Sequence, residues 1–187
     1  TRESALSGRI DATCDYSVVA NEVSAMLRFR RYRLLEMAAD ELCAAILGVH
    51  PQVQSLTLTI HKPHAIAQAN DVSVSVQRDP GDYPRRYERN NFGEVEILHE
   101  NREAGLYLLH IDAGKSIPPH FHRVMRELEW LVEGEVTRDG RLLRGQEPVM
   151  WPKERVHTYE NVGSSRATLF CCDCPPFIPS DEVVVST

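Results

Sequence analysis

Long apolar runs are missing from this sequence. Among its 187 residues, no stretch approaches the ~20 apolar residues a helix needs to cross a bilayer. Thr1–Ile10 shows neither the basic start nor the apolar core of a secretory leader. A disulfide framework is missing as well. The five cysteines (Cys14, Cys43, Cys171, Cys172 and Cys174) are odd in number and irregularly spaced, and a chain of this size does not need one, so a reducing, cytoplasmic setting is expected. Basic charge is in deficit. The net charge is −6, residues 1–90 are balanced and the acidic excess lies in 91–187. This excludes a nucleic-acid binder driven by a basic face. With 42% hydrophobic residues, 10 Gly and 11 Pro, the chain is neither low in complexity nor disordered in composition. A small-molecule ligand is the expected partner, with neither nucleic acid nor membrane.

The hydrophobic pattern changes period along the chain. Asp15 is placed to cap a helix over Tyr16–Leu27, where Val19, Val23, Met26 and Leu27 recur at helical spacing. A second helix reads Leu34–Leu47, its stripe running through Leu35, Ala38, Leu42, Ala45 and Ile46, with Gly48 and Pro51 ending it. The period then falls to two. Leu56, Leu58 and Ile60 alternate with threonines, and Val72, Val74 and Val76 with serines. Residues 1–79 are thus expected to form an α+β unit of two helices and two strands. Residues 80–91 are polar and aperiodic, and read as a linker. Short apolar runs between Gly, Pro and Asp turns predict an all-β sandwich or barrel over 92–187.

Five of the eight histidines follow residue 98. His120 and His122, two apart, share a face of any strand, so both rings can reach one ion. Glu127 adds an oxygen ligand across the adjoining turn, and His157 a third imidazole from a later strand. Three imidazoles and a carboxylate suit a divalent ion such as Zn, Mn, Fe, Ni or Cu; an octahedral ion keeps two positions open. Gly114, His120-Phe-His122, Glu127 and Gly134 resemble the first cupin motif. Pro152, His157 and Asn161 resemble the second, with Pro152-Lys-Glu154 where that family has Pro-x-Gly. Pro175-Pro-Phe-Ile-Pro resembles a cupin C-terminal extension. The resemblance implies a double-stranded β-helix with His120, His122, Glu127 and His157 as metal ligands. His99 and His110 are read as structural. So is Glu129, taken to face away from Glu127 if the segment is extended. Cys171-Cys-Asp-Cys174 reads as a buried final strand.

Three polar residues stand at element ends in the first half: Tyr16, Glu36 and Lys62. Together they suit proton abstraction beside a nitrogen heterocycle, with Lys as base, Glu as anchor and Tyr as proton donor. Their plain reading is a solvated Lys, a dipole-facing Glu and a packing Tyr. Arg28-Phe-Arg-Arg-Tyr-Arg33 reads as a solvated helix end. Asp15-Tyr16, Arg33-Leu-Leu-Glu36-Met-Ala and Lys62-Pro63-His-Ala resemble the helix starts and strand end of dihydroneopterin aldolases. Arg2–Cys14 resembles that family's connection into the first helix. The resemblance implies a tunnelling (T) fold in ring-shaped homo-oligomers, with Lys62 as acid/base, Tyr16 assisting proton transfer and Glu36 holding the pterin. It implies retro-aldol cleavage of 7,8-dihydroneopterin to 6-hydroxymethyl-dihydropterin and glycolaldehyde, without a cofactor. In that family a strand hairpin bearing a further Glu comes first, and such a pair is expected upstream of Thr1. The leading expectation is therefore an aldolase of pterin and folate metabolism fused to a metal-binding cupin. The alternatives are a metal-dependent cupin oxygenase or isomerase on a T-fold scaffold, and a pterin- or metal-sensing module.

Overall fold

In the computed structural model, which describes residues 2–9, 13–145 and 147–185, helix α1 (Arg2–Ser7) comes first. Ile10–Ala12 of the expected connecting segment lie outside the described residues. Helix α2 (Tyr16–Arg30) begins where the Asp15 carboxylate accepts from the Ser17 amide at 2.9 Å, satisfying a donor that no helical carbonyl reaches. It ends where Arg31 turns left-handed at φ 50° and donates to the Leu27 carbonyl. Helix α3 (Leu35–Val49) runs two residues past the expected stop. Gly48 does not break it because nearly every residue from Ala38 to Val49 is buried, and such packing overrides the intrinsic cost of a helical glycine. α3 lies against strands β1 (Leu56–His61) and β2 (Ser73–Arg78). These pair antiparallel with Ile60 opposite Val74, so the alternating Leu, Ile and Val positions share the half-buried face.

The Arg28–Arg33 cluster departs from its solvated reading at Phe29, which is buried, and at one of its arginines. The Arg30 side chain is buried and forks onto Glu41 of α3, at 2.7 and 2.8 Å. Buried charges are tolerated only when paired in this way. Arg30 therefore joins α2 to α3 instead of complementing a dipole in water.

Residues 80–91 are not a linker. Pro80–Asp82 form a 3₁₀ turn closed by reciprocal bonds between Asp79 and Asp82. Tyr83 is buried, its hydroxyl donating to the Asp40 carboxylate at 3.0 Å. Strand β3 (Arg86–Asn90) then opens the second unit. The chain divides into two compact units, 1–84 and 85–187. β3 escaped the sequence reading because it is an edge strand exposed throughout, and a strand with no buried face has no hydrophobic alternation to detect.

The second unit is built from two antiparallel sheets. One contains β3, β4 (Gly93–Glu100), β5 (Gly105–Ile111), β12 (Ala167–Cys174), β7 (Arg126–Glu133) and β10 (Val149–Trp151), in the order β10-β7-β12-β5-β4-β3. The other has the order β13-β6-β11-β8-β9, from β6 (Ser116–His122), β8 (Val136–Arg138), β9 (Arg141–Leu142), β11 (His157–Asn161) and β13 (Glu182–Val184). Ile117, Val136 and Tyr159 of the second sheet interlock with Ile111, Leu131 and Leu169 of the first in one apolar cluster. Gly134, at φ 94°, closes the turn after β7 where a Cβ would sit 2.6 Å from that of Ala167; only glycine fits.

Along the strands the inward positions change character. On β7 the same face carries Leu131, then Glu129, then Glu127; on β12 it carries Leu169, then Cys171, then Asp173. On β6 the buried set is Ile117, His120 and His122, which breaks the period of two. The pairing of β6 with β11 shifts register between His157 and Tyr159, and this irregularity puts both histidines on the inward face with Ile117. The apolar core thus grades into a polar chamber.

Candidate metal centre

The four expected ligands come from three strands of two sheets. His120 and His122 extend from β6, and β11 sets His157 directly opposite His120 in register, with ring centroids 4.3 Å apart. Glu127 reaches across from β7. Its two oxygens lie 3.3 Å from His122 Nε2 and 3.3 Å from His157 Nε2. Ligand atoms of His120, Glu127 and His157 all fall within 4.8 Å of one another, and all four residues are buried.

Two backbone carbonyls set the imidazole tautomers. His120 Nδ1 donates to Pro118 O at 2.8 Å and His157 Nδ1 to Arg155 O at 3.0 Å, which assigns the Nε2 lone pairs to the chamber. His157 Nε2 is buried without a hydrogen-bond partner. A lone pair facing a carboxylate at 3.3 Å is repulsive, and a cation between the two removes the conflict. The donor set of His120, Glu127 and His157 and its geometry therefore fit a divalent ion, with His122 beside that group and outside it.

Charge balance follows burial. Burial lowers the pKa of His120 and of His157, with repulsion from His157 also acting on His120. Burial acts the same way on His122, but the hydrogen bond and charge of Glu127, helped by Asp181, outweigh it and raise that group. Trp151 stacks on His157 at 4.6 Å and donates to Glu129 Oε2 at 2.6 Å, while the Tyr159 hydroxyl donates to the same oxygen at 2.5 Å. Burial and the nearby Glu127 charge nevertheless push Glu129 up to about 7. Asp173 is raised by burial and by Glu127, and burial raises the Cys171 thiol, which donates to Asp173 at 2.9 Å.

These groups line a cavity of about 260 Å³ whose walls include Phe92, Ile97, Leu109 and Phe177. Glu129 faces this cavity beside Glu127, contrary to the sequence reading. Residues two apart on a continuous strand share a face, and β7 is continuous through both. Cys171 and Asp173 also line the chamber. β12 is buried as expected, but it is followed by β13 and so is not the final strand, and its inward residues are polar here. His110 is structural as read, bonded to Glu96 and Thr168 at 3.0 Å each. The residues missed were Glu129, Asp173 and Asp181; the signal for the first was the Glu-x-Glu spacing.

The first-half residues are not drawn into a comparable enclosure. Tyr16 at the start of α2, Glu36 in the first turn of α3 and Lys62 just after β1 are each exposed. The Lys62 amide donates to Val72 O at 2.8 Å, fixing its backbone. His61, beside it, bonds Asp71 at 2.5 Å.

Residues 1–77 match the family model described as FolB, dihydroneopterin aldolase. The match falls on the first unit, and the unit of two antiparallel sheets lies beyond it. No curated protein is similar enough to count as a match. Among solved structures, the capsular polysaccharide assembling protein CapF from Staphylococcus aureus is 17% identical, with a TM-score of 0.48, over 56% of this chain and 35% of that one. This chain therefore spans about a third of the length of CapF. KdgF from Halomonas sp. is 15% identical over 51% of this chain and 90% of its own, with a TM-score of 0.44. A predicted oxalate decarboxylase from Thermotoga maritima is 17% identical over 51% and 96%, with a TM-score of 0.41. No helix among the described residues is long and apolar enough to cross a membrane.

Proposed function

We propose that the second unit is a divalent-metal centre acting on a small molecule inside the barrel. The observation that carries this reading is the set of bare imidazole nitrogens on His120 and His157 converging with the Glu127 carboxylate. A divalent ion bound there would supply a Lewis acid to a coordinated oxygen of the substrate. The protein's own part is positioning and proton management. Pro118 and Arg155 carbonyls hold two imidazoles in the ligating tautomer. Glu129, with Oε2 accepting from Trp151 and Tyr159 and its pKa pushed up to about 7 by burial and the Glu127 charge, lines the chamber as a group suited to exchange a proton with a substrate oxygen. Phe92, Ile97 and Leu109 exclude water from one wall. Metal analysis after dialysis against Mn, Fe, Co, Ni, Cu and Zn salts tests the reading. One equivalent retained by the wild type and lost in Glu127→Gln supports it; no retention of any ion overturns it.

A second reading is supported by the family match over residues 1–77. In it the first unit cleaves 7,8-dihydroneopterin, with Lys62 as acid/base, Tyr16 assisting and Glu36 holding the pterin. The exposure of all three suits a site completed by a neighbouring subunit of a homo-oligomer in the cytoplasm. Glycolaldehyde release that survives chelation and disappears in Lys62→Ala supports this chemistry. Release that chelation abolishes, or none at all, removes it. Pterin or metal binding without turnover would favour a sensing module.

A further inference from the structure

Asp181 lies far from the ligands in sequence, in a 3₁₀ turn (Pro179–Asp181) just before β13. Its buried carboxylate accepts from three consecutive backbone amides. Arg123 donates to Oδ1 at 3.1 Å, Val124 to Oδ2 at 2.9 Å and Met125 to Oδ2 at 2.9 Å. These amides form the whole connection between β6, which ends at His122, and β7, which starts one residue before Glu127. Three successive N–H groups aimed at one point make an anion cradle, here filled by the chain itself. The same carboxylate lies 3.9 Å from His122 Nδ1, a nitrogen with no hydrogen-bond partner.

The neighbouring residues reinforce this placement. β13 pairs with β6 so that Glu182 stands opposite His122 and Val184 opposite His120. Val185 donates to Pro119 O at 2.8 Å, and the Phe177 ring meets His122 edge-on at 6.5 Å. The Glu154 amide holds the His122 carbonyl from the other side at 2.7 Å. His122 shows no carbonyl contact of the kind that fixes the other two imidazoles; Asp181 Oδ2 lies 3.9 Å from its Nδ1, and the Glu182 charge also acts on the ring.

We propose that Asp181 is a positioning residue of the metal centre: by clamping the 123–125 turn and facing His122 Nδ1, it fixes the spacing of His122 and Glu127 and so sets metal affinity. This rests on the metal reading above. A carboxylate behind a ligating imidazole and a rigid turn between two ligands are both outer-shell devices, whose loss typically weakens metal binding 10–100-fold.

The test is cobalt(II) titration of the full chain, read by visible d–d absorption and by competition with a chromophoric chelator, for wild type, Asp181→Asn and Asp181→Ala. Asn keeps one acceptor oxygen for the turn but removes the charge and the second acceptor, so it tests the clamp even if Ala fails to fold. Glu96→Gln, outside the chamber, provides a destabilised comparison. The expected result is cobalt affinity 10–100-fold lower in Asp181→Asn, with an altered absorption envelope. A folded Asp181→Asn protein with wild-type affinity and spectrum overturns the proposal, even if its melting point falls. A wild type that takes up no cobalt overturns the metal reading itself, and the proposal with it. Binding by the wild type separates the two failures.

Discussion

Glu154 holds a left-handed backbone at φ 64°, in the Pro152-Lys-Glu154 turn where the resembled motif has glycine. A β-carbon in that conformation costs about 1–2 kcal/mol, part of which glycine returns through its greater freedom in the unfolded chain. The Glu154 side chain is exposed, so Glu154→Gly is expected to stabilise the protein by about 0.5–1 kcal/mol, measured by urea unfolding. Glu96 carries a different prediction. Burial alone would raise its pKa, but hydrogen bonds from His110 and Arg85 more than offset burial and lower it below 4.5. The folded state therefore binds fewer protons than the unfolded state in acid. The resulting stability is complete above the unfolded value and is lost as pH falls through the folded one. Glu96→Gln should lower stability at pH 7 and flatten the acid limb of the stability profile. A variant whose acid limb keeps the wild-type slope would contradict this.

The elements differ in how much of themselves they display. α2 was legible because its Asp15 cap and apolar stripe are local, α3 because its stripe is, and β1 and β2 because one face of each packs on α3. The expected ligand set of His120, His122, Glu127 and His157 could be named from sequence because these residue types and spacings are distinctive, and all four are buried in the second unit. β3 was not, since an edge strand without a buried face carries no pattern. Neither was the inward turn of Ile117 on β6, out of step with His120 and His122, because the register shift opposite β11 is a property of the pairing. Asp181 contacts a turn 56 to 58 residues away, and no local signal encodes such a contact. Arg30 was misread because charge usually means solvent, whereas Glu41 on the next helix was waiting for it. Glu41→Ala should therefore cost about 3–5 kcal/mol, the toll of stranding a buried guanidinium. Chemical denaturation would check it; a loss below about 1 kcal/mol, typical of exposed pairs, would mean that the pair is solvated in solution.

At the scale of the whole molecule, two units of different construction share one chain. Ion binding to the chamber should stabilise the second by mass action, by about 2.7 kcal/mol at a free concentration a hundred times the dissociation constant. Differential scanning calorimetry should then show a metal-dependent shift of its transition, and chelation should reverse it. The register that sets His157 opposite His120 has a consequence for time as well as for place. Before the barrel forms, the chain offers an ion little more than the His120-x-His122 pair, because His157 joins only through a strand pairing that spans a long stretch of sequence. Such distant pairings form slowly, so an ion bound at this site would be recruited by a finished barrel and would not nucleate one. Saturating metal should leave the refolding rate nearly unchanged and slow unfolding instead. In the cell, the protein would be born empty and would acquire its ion as a folded body, its occupancy set by the metal present after synthesis.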